Sequence, residues 1–112
     1  MNKSGMAGLL KQAQKLQDDM ARAQAELEQT VVEASSGGGV VTARVSGKQE
    51  ILEIKIDPKV VDPQDMEMLE DLVVAAVNQA LKEARELAEE KMSSLAGGLM
   101  GALPPGFKLP GM

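Results

Sequence analysis

Residues 40–56 alternate as a β-hairpin does, and they sit between two long helical patterns. Val41, Ala43 and Val45 alternate with Thr42, Arg44 and Ser46. Gly47-Lys48 interrupts the run, after which Leu52, Ile54 and Ile56 alternate with Glu53 and Lys55. Period-two alternation about a glycine turn gives an antiparallel pair with one buried and one solvated face. Upstream, Thr30–Ser36 opens on β-branched Thr30, Val31 and Val32 and runs into Gly37-Gly38-Gly39, which predicts a short first strand and a turn. Asp57-Pro58 closes the hairpin, because proline cannot donate to a central ladder. The fold class is therefore α+β, with a three-stranded antiparallel sheet between two helices in the order α-β-β-β-α.

The flanking segments carry helical spacing. Met6, Leu9, Ala13, Leu16, Met20, Ala23 and Leu27 recur at alternating intervals of three and four, the seam of a coiled coil or long helical hairpin. A helix of about 24 residues extends roughly 36 Å, too far for one small sheet to cover. Its far end is expected to pack on the second helix or on a sister subunit. The second helix is expected to start at Asp62-Pro63-Gln64-Asp65, with Asp62 as N-cap and Pro63 in the first helical position. It runs through Leu69, Leu72, Val73, Ala76, Val77, Ala80, Ala84, Leu87 and Ala88 and should end near Leu95, before Gly97-Gly98. This divides the chain into a single folded domain, 1–96, and a Gly/Pro-rich flexible tail, 97–112.

Composition bears on how such a chain fills its interior. Its one aromatic residue, Phe107, lies in the tail, so Val, Leu, Met and Ala must build the core. Aromatic side chains normally supply much of the buried area in a small domain. A partner subunit would provide the missing contacts, so a homodimer is expected.

The same inventory argues against catalysis. The chain has no His and no Cys, which removes the commonest general base, thiol chemistry and disulfides. Carboxylates such as Asp18, Glu83, Glu86 and Glu90 fall on outward helical positions. Adjacent pairs, Asp18-Asp19 and Glu70-Asp71, point in different directions on a helix and cannot close a metal site alone. Ser35, Ser36 and Ser46 lack an activating base. Gly37-Gly38-Gly39 leads into a strand and not into a helix bearing Lys and Ser/Thr, so it reads as a turn and not a phosphate loop. No cofactor, metal site or enzyme activity is expected. No apolar stretch of the leader type follows Lys3, so no secretory signal is expected, and no apolar run reaches the roughly 18 residues of a membrane span.

The basic residues remain. Residues 1–29 carry four basic and four acidic groups, whereas residues 59–95 carry four basic and nine acidic. Lys11, Lys15 and Arg22 fall within about 40° of one another on a helix and avoid the apolar seam. Such a stripe either solubilises the helix or holds nucleic-acid phosphates. Lys3 and Lys48 are weaker candidates for the same role. Without an aromatic residue in the folded part, base stacking is not expected to drive recognition. Nor is there a cluster of Asn, Gln and Arg for base readout. Nucleic-acid binding by this chain would therefore grip duplex backbone with little sequence preference.

Several motifs, in order, resemble the YbaB/EbfC family of bacterial nucleoid-associated proteins. They include residues 10–17 (LKQAQKLQ), Gly37-Gly38-Gly39-Val40-Val41, Gly47-Lys48 and residues 54–58 (IKIDP). The most specific are residues 69–80 (LEDLVVAAVNQA), and residues 103–108 (LPPGFK) also match. The resemblance covers nearly the whole chain. It implies an intertwined, tweezer-like homodimer that binds double-stranded DNA and alters its conformation, in the cytoplasm or on the nucleoid. Effects on gene expression, nucleoid organisation and DNA protection follow from that implication. Lys11 and Lys15 fall inside a matching motif and inherit a phosphate-binding role from it. The net charge of -5 and the acidic second helix support a rival expectation, a protein–protein adaptor for DNA repair or replication proteins.

Overall fold

The structure is a computed structural model that describes residues 3–102, and the side chains of residues 5–97. Helix α1 spans Lys3–Gln29, strands β1, β2 and β3 span Val31–Ser36, Val41–Ser46 and Ile51–Ile56, and helix α2 spans Met66–Ala102. The order is the α-β-β-β-α expected from the sequence. The strands form one antiparallel sheet in the order β1-β2-β3.

Glycine and serine shape the two hairpin turns. Gly37, Gly38 and Gly39 all take positive φ (60°, 75° and 102°), the left-handed region that a side chain would strain. They turn the chain between β1 and β2, as the sequence indicated. In the β2–β3 turn the left-handed residue is Gln49 (φ 66°), not Gly47. Ser46 holds this turn by accepting from the backbone N–H groups of Lys48 and Glu50, both at 3.2 Å. Gly47 serves another purpose. A Cβ there would lie 2.5 Å from the Leu27 carbonyl oxygen, so its lack of a side chain lets β2 abut the end of α1.

Val41, Ala43 and Val45 of β2 are fully buried. With Ala34 of β1 they pack under Leu69, Ala76, Ala80 and Ala84 of α2. The alanines bring α2 close to the sheet. Val41 and Val45 are the largest fully buried side chains, so the interior of one chain is thin. The opposite sheet face is polar, with Glu33, Arg44 and Glu53 in register.

Three expectations need correction. β3 is not half-buried: all six of its residues are exposed, because α2 lies over β1 and β2. Its alternation is also broken. A bulge between Arg44 and Val45 pairs Ile51 with Val45 and Glu53 with Arg44, which leaves Leu52 without a partner in register. The start of α2 is displaced. Asp62 accepts from Gln64 N–H (2.9 Å) within a turn, and Asp65 accepts from Met68 N–H (3.3 Å), so Asp65 caps the helix instead of Asp62. At its other end α2 does not stop near Leu95 but passes Gly97-Gly98 and reaches Ala102. The rest of the predicted tail, residues 103–112, lies outside the described residues.

Candidate nucleic-acid interface

Helix α1 carries the candidate site, and its C-terminal half is anchored to the rest of the fold. Ala23 and Leu27 are buried, while every residue from Gly5 to Lys15 is exposed. Glu26 fixes α1 to α2 through a 2.5 Å ion pair with Lys91. That hydrogen bond, together with the charge of Lys91, holds the Glu26 carboxyl below its ordinary pKa. Lys91 has no partner at helical spacing within α2, and sequence reasoning assigned it no role. The signal that α1 and α2 pack antiparallel was in the matching apolar stripes, not in the charges. The molecule is elongated, 75 × 25 × 17 Å, because the helices extend beyond the sheet.

The predicted basic residues separate into two groups. Lys11, Lys15 and Arg22 all lie exposed on one side of α1. Lys11 and Lys15 make no ion pair among the described residues, and Asp18, on the same side, engages neither. Arg22 has a loose contact with Asp19 at 3.9 Å, and its side chain is 71% exposed, so water screens that contact. Lys48 lies apart in the β2–β3 turn and pairs with Glu28 at 3.8 Å. Lys3 begins α1, but its side chain lies outside the described ones. The stripe is thus Lys11, Lys15 and Arg22, with Lys48 near the opposite end of α1.

Other cations are less available. Arg44 and Lys55 both contact Glu53, at 3.4 and 3.7 Å. Lys82 and Arg85 are exposed on α2. They share that helix with Glu83, Glu86, Glu89 and Glu90, which offset their charge. No group of acidic residues among those described is arranged to hold a metal ion. No helix is long and apolar enough to cross a membrane, among the described residues.

Comparison with known proteins gives this arrangement its family. The model of the YbaB/EbfC DNA-binding family matches residues 1–99. The chain belongs to that family. It is 52% identical over 103 residues to a nucleoid-associated protein of Syntrophobacter fumaroxidans, covering 92% of this chain and 91% of that one. A nucleoid-associated protein of Ruminiclostridium cellulolyticum is also 52% identical, over 107 residues, covering 96% and 87% of the two chains. The crystal structure of an uncharacterized Helicobacter pylori protein shares the fold. It has a TM-score of 0.61 and 23% identity, and the match covers 89% of this chain and 98% of that one. The family is one of DNA-binding proteins and not of enzymes.

Proposed function

We propose that this YbaB/EbfC-family chain binds double-stranded DNA as a homodimer, with little sequence specificity, and alters DNA conformation on the nucleoid in the cytoplasm. The observation that carries the reading is the pair Lys11 and Lys15 on the N-terminal half of α1, exposed and without ion-pair partners among the described residues. Arg22 extends the same stripe, and Lys3 and Lys48 are secondary contacts. Lysine at such positions exchanges counterions at phosphate without reading bases. Changes in gene expression, nucleoid organisation and DNA protection would follow from coating and bending DNA.

The homodimer draws support from apolar surface that one chain leaves open. Ile51, Ile54 and Ile56 of β3 are 51%, 39% and 39% exposed. In register with Val45, Ala43 and Val41, they extend the apolar sheet face past the edge of α2. A second copy would bury this face and double the basic stripes. The dimerising, DNA-binding unit in this reading is residues 1–96, with α2 carrying the chain past its boundary to Ala102.

The test is an electrophoretic shift of random duplex DNA across a salt series. The parent chain should bind with log affinity falling as log salt rises, and Lys11→Glu/Lys15→Glu/Arg22→Glu should abolish the shift while light scattering still finds a dimer. Undiminished binding by that variant would remove the assigned site. The acidic face of α2 supports a second reading, an adaptor for DNA repair or replication proteins with little direct DNA contact. Retention of a partner on beads, lost on deletion of residues 97–112 and accompanied by no DNA shift, would favour it.

A further inference from the structure

Glu26 stands where the basic stripe of α1 would continue. At about 100° per residue it lies roughly 20° around the helix from Lys15 and roughly 40° from Arg22. Along the axis it is about 6 Å beyond Arg22, one further turn. A carboxylate in line with cations takes the place that a phosphate would take. Glu26 does not stand there alone, because it holds Lys91 of α2 in a close ion pair. Lys91 is thereby drawn to the border of the stripe. Asp19, Arg22, Glu26, Lys91 and Ser94 line one cleft between the two helices, together with Ala23 and Leu95. Arg22 and Lys91 thus face the same opening, each with a carboxylate of α1 beside it.

The pair is built for exchange. The Lys91 side chain is 32% exposed and that of Glu26 is 53% exposed, so water reaches both. A solvated ion pair contributes little net stability. The ammonium carries three donors on a flexible stem, and it makes with phosphate the same kind of charge-assisted hydrogen bond that it makes with a carboxylate. The hydrogen bond from Lys91, its charge and the charge of Arg22 hold the Glu26 carboxyl below its ordinary pKa, so near neutral pH the group is an anion. A DNA phosphate arriving beside Arg22 meets Lys91 already in place and competes with that carboxylate for it. The other described cations of α2, Lys82 and Arg85, form no ion pair with α1 among the described residues.

We propose that Lys91 is a phosphate-binding residue of the DNA interface, contributed by α2, and that Glu26 occupies the phosphate position until DNA displaces it. The assignment rests on the proposed DNA binding and extends it from one helix to two. On displacement the half-exposed Glu26 turns to solvent, and Lys91 passes from one anion to another.

Duplex affinity across a salt series tests it. Glu26→Gln should bind random duplex DNA several-fold more tightly than the parent chain at fixed salt. Glu90→Gln is the control. It makes the same charge change one residue from Lys91, on an exposed side chain with no ion pair among the described residues, and should bind less tightly than Glu26→Gln. Adding Lys91→Gln to Glu26→Gln should cancel the gain and reduce the slope of log affinity against log salt by about 0.9, the loss of one phosphate contact. Adding Lys91→Arg instead should preserve the gain. Thermal melts supply a second reading. If the pair only clamps the helices, Glu26→Gln lowers both melting temperature and affinity; release of a phosphate ligand lowers the first and raises the second. Equal affinities of Glu26→Gln and Glu90→Gln would overturn the assignment, as would a gain that survives Lys91→Gln. Those outcomes, in a parent chain whose binding Lys11→Glu/Lys15→Glu/Arg22→Glu abolishes, would remove Lys91 and leave the stripe. A parent chain that shifts no duplex at low salt would overturn both.

Discussion

Gly47→Ala should unseat α1 from the sheet. The added Cβ would stand 2.5 Å from the Leu27 carbonyl oxygen and 3.0 Å from Leu27 Cα. A carbon–oxygen contact needs about 3.3 Å, so the end of α1 must retreat by roughly 0.8 Å. Both clashing atoms are backbone, and Leu27 is itself buried, so no side-chain rotation relieves the overlap. The retreat also stretches the bond from Gly47 N–H to the Thr30 carbonyl, now 3.0 Å, beyond useful length. Overpacking costs about 1–3 kcal/mol and the lost hydrogen bond about 1 kcal/mol. The smaller unfolded-state entropy of alanine returns about 0.4–1 kcal/mol. The net loss is about 1–3.5 kcal/mol, with a mid-range value of about 2 kcal/mol that lowers Tm by on the order of 10 °C in a domain of this size. Thermal melts followed by far-ultraviolet circular dichroism measure it. Gly38→Ala is the control: its φ is +75°, but nothing lies within 4 Å of its Cβ, so it suffers backbone strain alone, about 1 kcal/mol. If Gly47→Ala melts with the parent chain, or above Gly38→Ala, the close approach of β2 to α1 is refuted. Lys11 lies roughly 24 Å along α1 from Leu27, so a tilt at this joint displaces the basic stripe most. Duplex affinity should fall in the same variant at temperatures where it remains folded.

Three further outcomes follow from the geometry. Gln49→Gly should raise stability by up to about 1 kcal/mol in a denaturant titration, because it relieves the left-handed backbone at φ 66°. Ile54→Lys replaces a side chain that is already 39% exposed in the single chain, so the fold should persist while sedimentation shows weaker self-association. The clamp between Glu26 and Lys91 should respond to acid. The Glu26 pKa is depressed in the folded state by its hydrogen bond to Lys91 and by the Lys91 charge, so its contribution is complete above the ordinary carboxylate range and disappears as pH falls through the lowered value. The difference in melting temperature between the parent and Glu26→Gln should therefore be largest near neutral pH and vanish in acid.

Local rules carried much of this fold because the residues concerned act on their immediate neighbours. Alternation marked β2, three consecutive glycines marked its preceding turn, and three-four spacing marked α1. The basic stripe was legible for the same reason, since helical periodicity alone places Lys11, Lys15 and Arg22 on one side. The exceptions are instructive. Asp62-Pro63 has the form of a helix start, but its carboxylate closes a turn and Asp65 caps α2 instead, two signals of equal local quality separated by three residues. Gly97-Gly98 has the form of a helix end, yet α2 continues through it.

Tertiary packing decided what no local pattern contains. Gly47 resembles a turn glycine, but its φ is not left-handed and its small size matters to Leu27, twenty residues earlier. The apolar face of β3 looks as buried in sequence as that of β2, but a single helix is too narrow to roof three strands, and α2 settles over β1 and β2. Which surfaces remain open, and therefore where a second molecule can attach, depends on that placement. Periodicity orders side chains about one axis; only the meeting of two axes determines which of them lose contact with water.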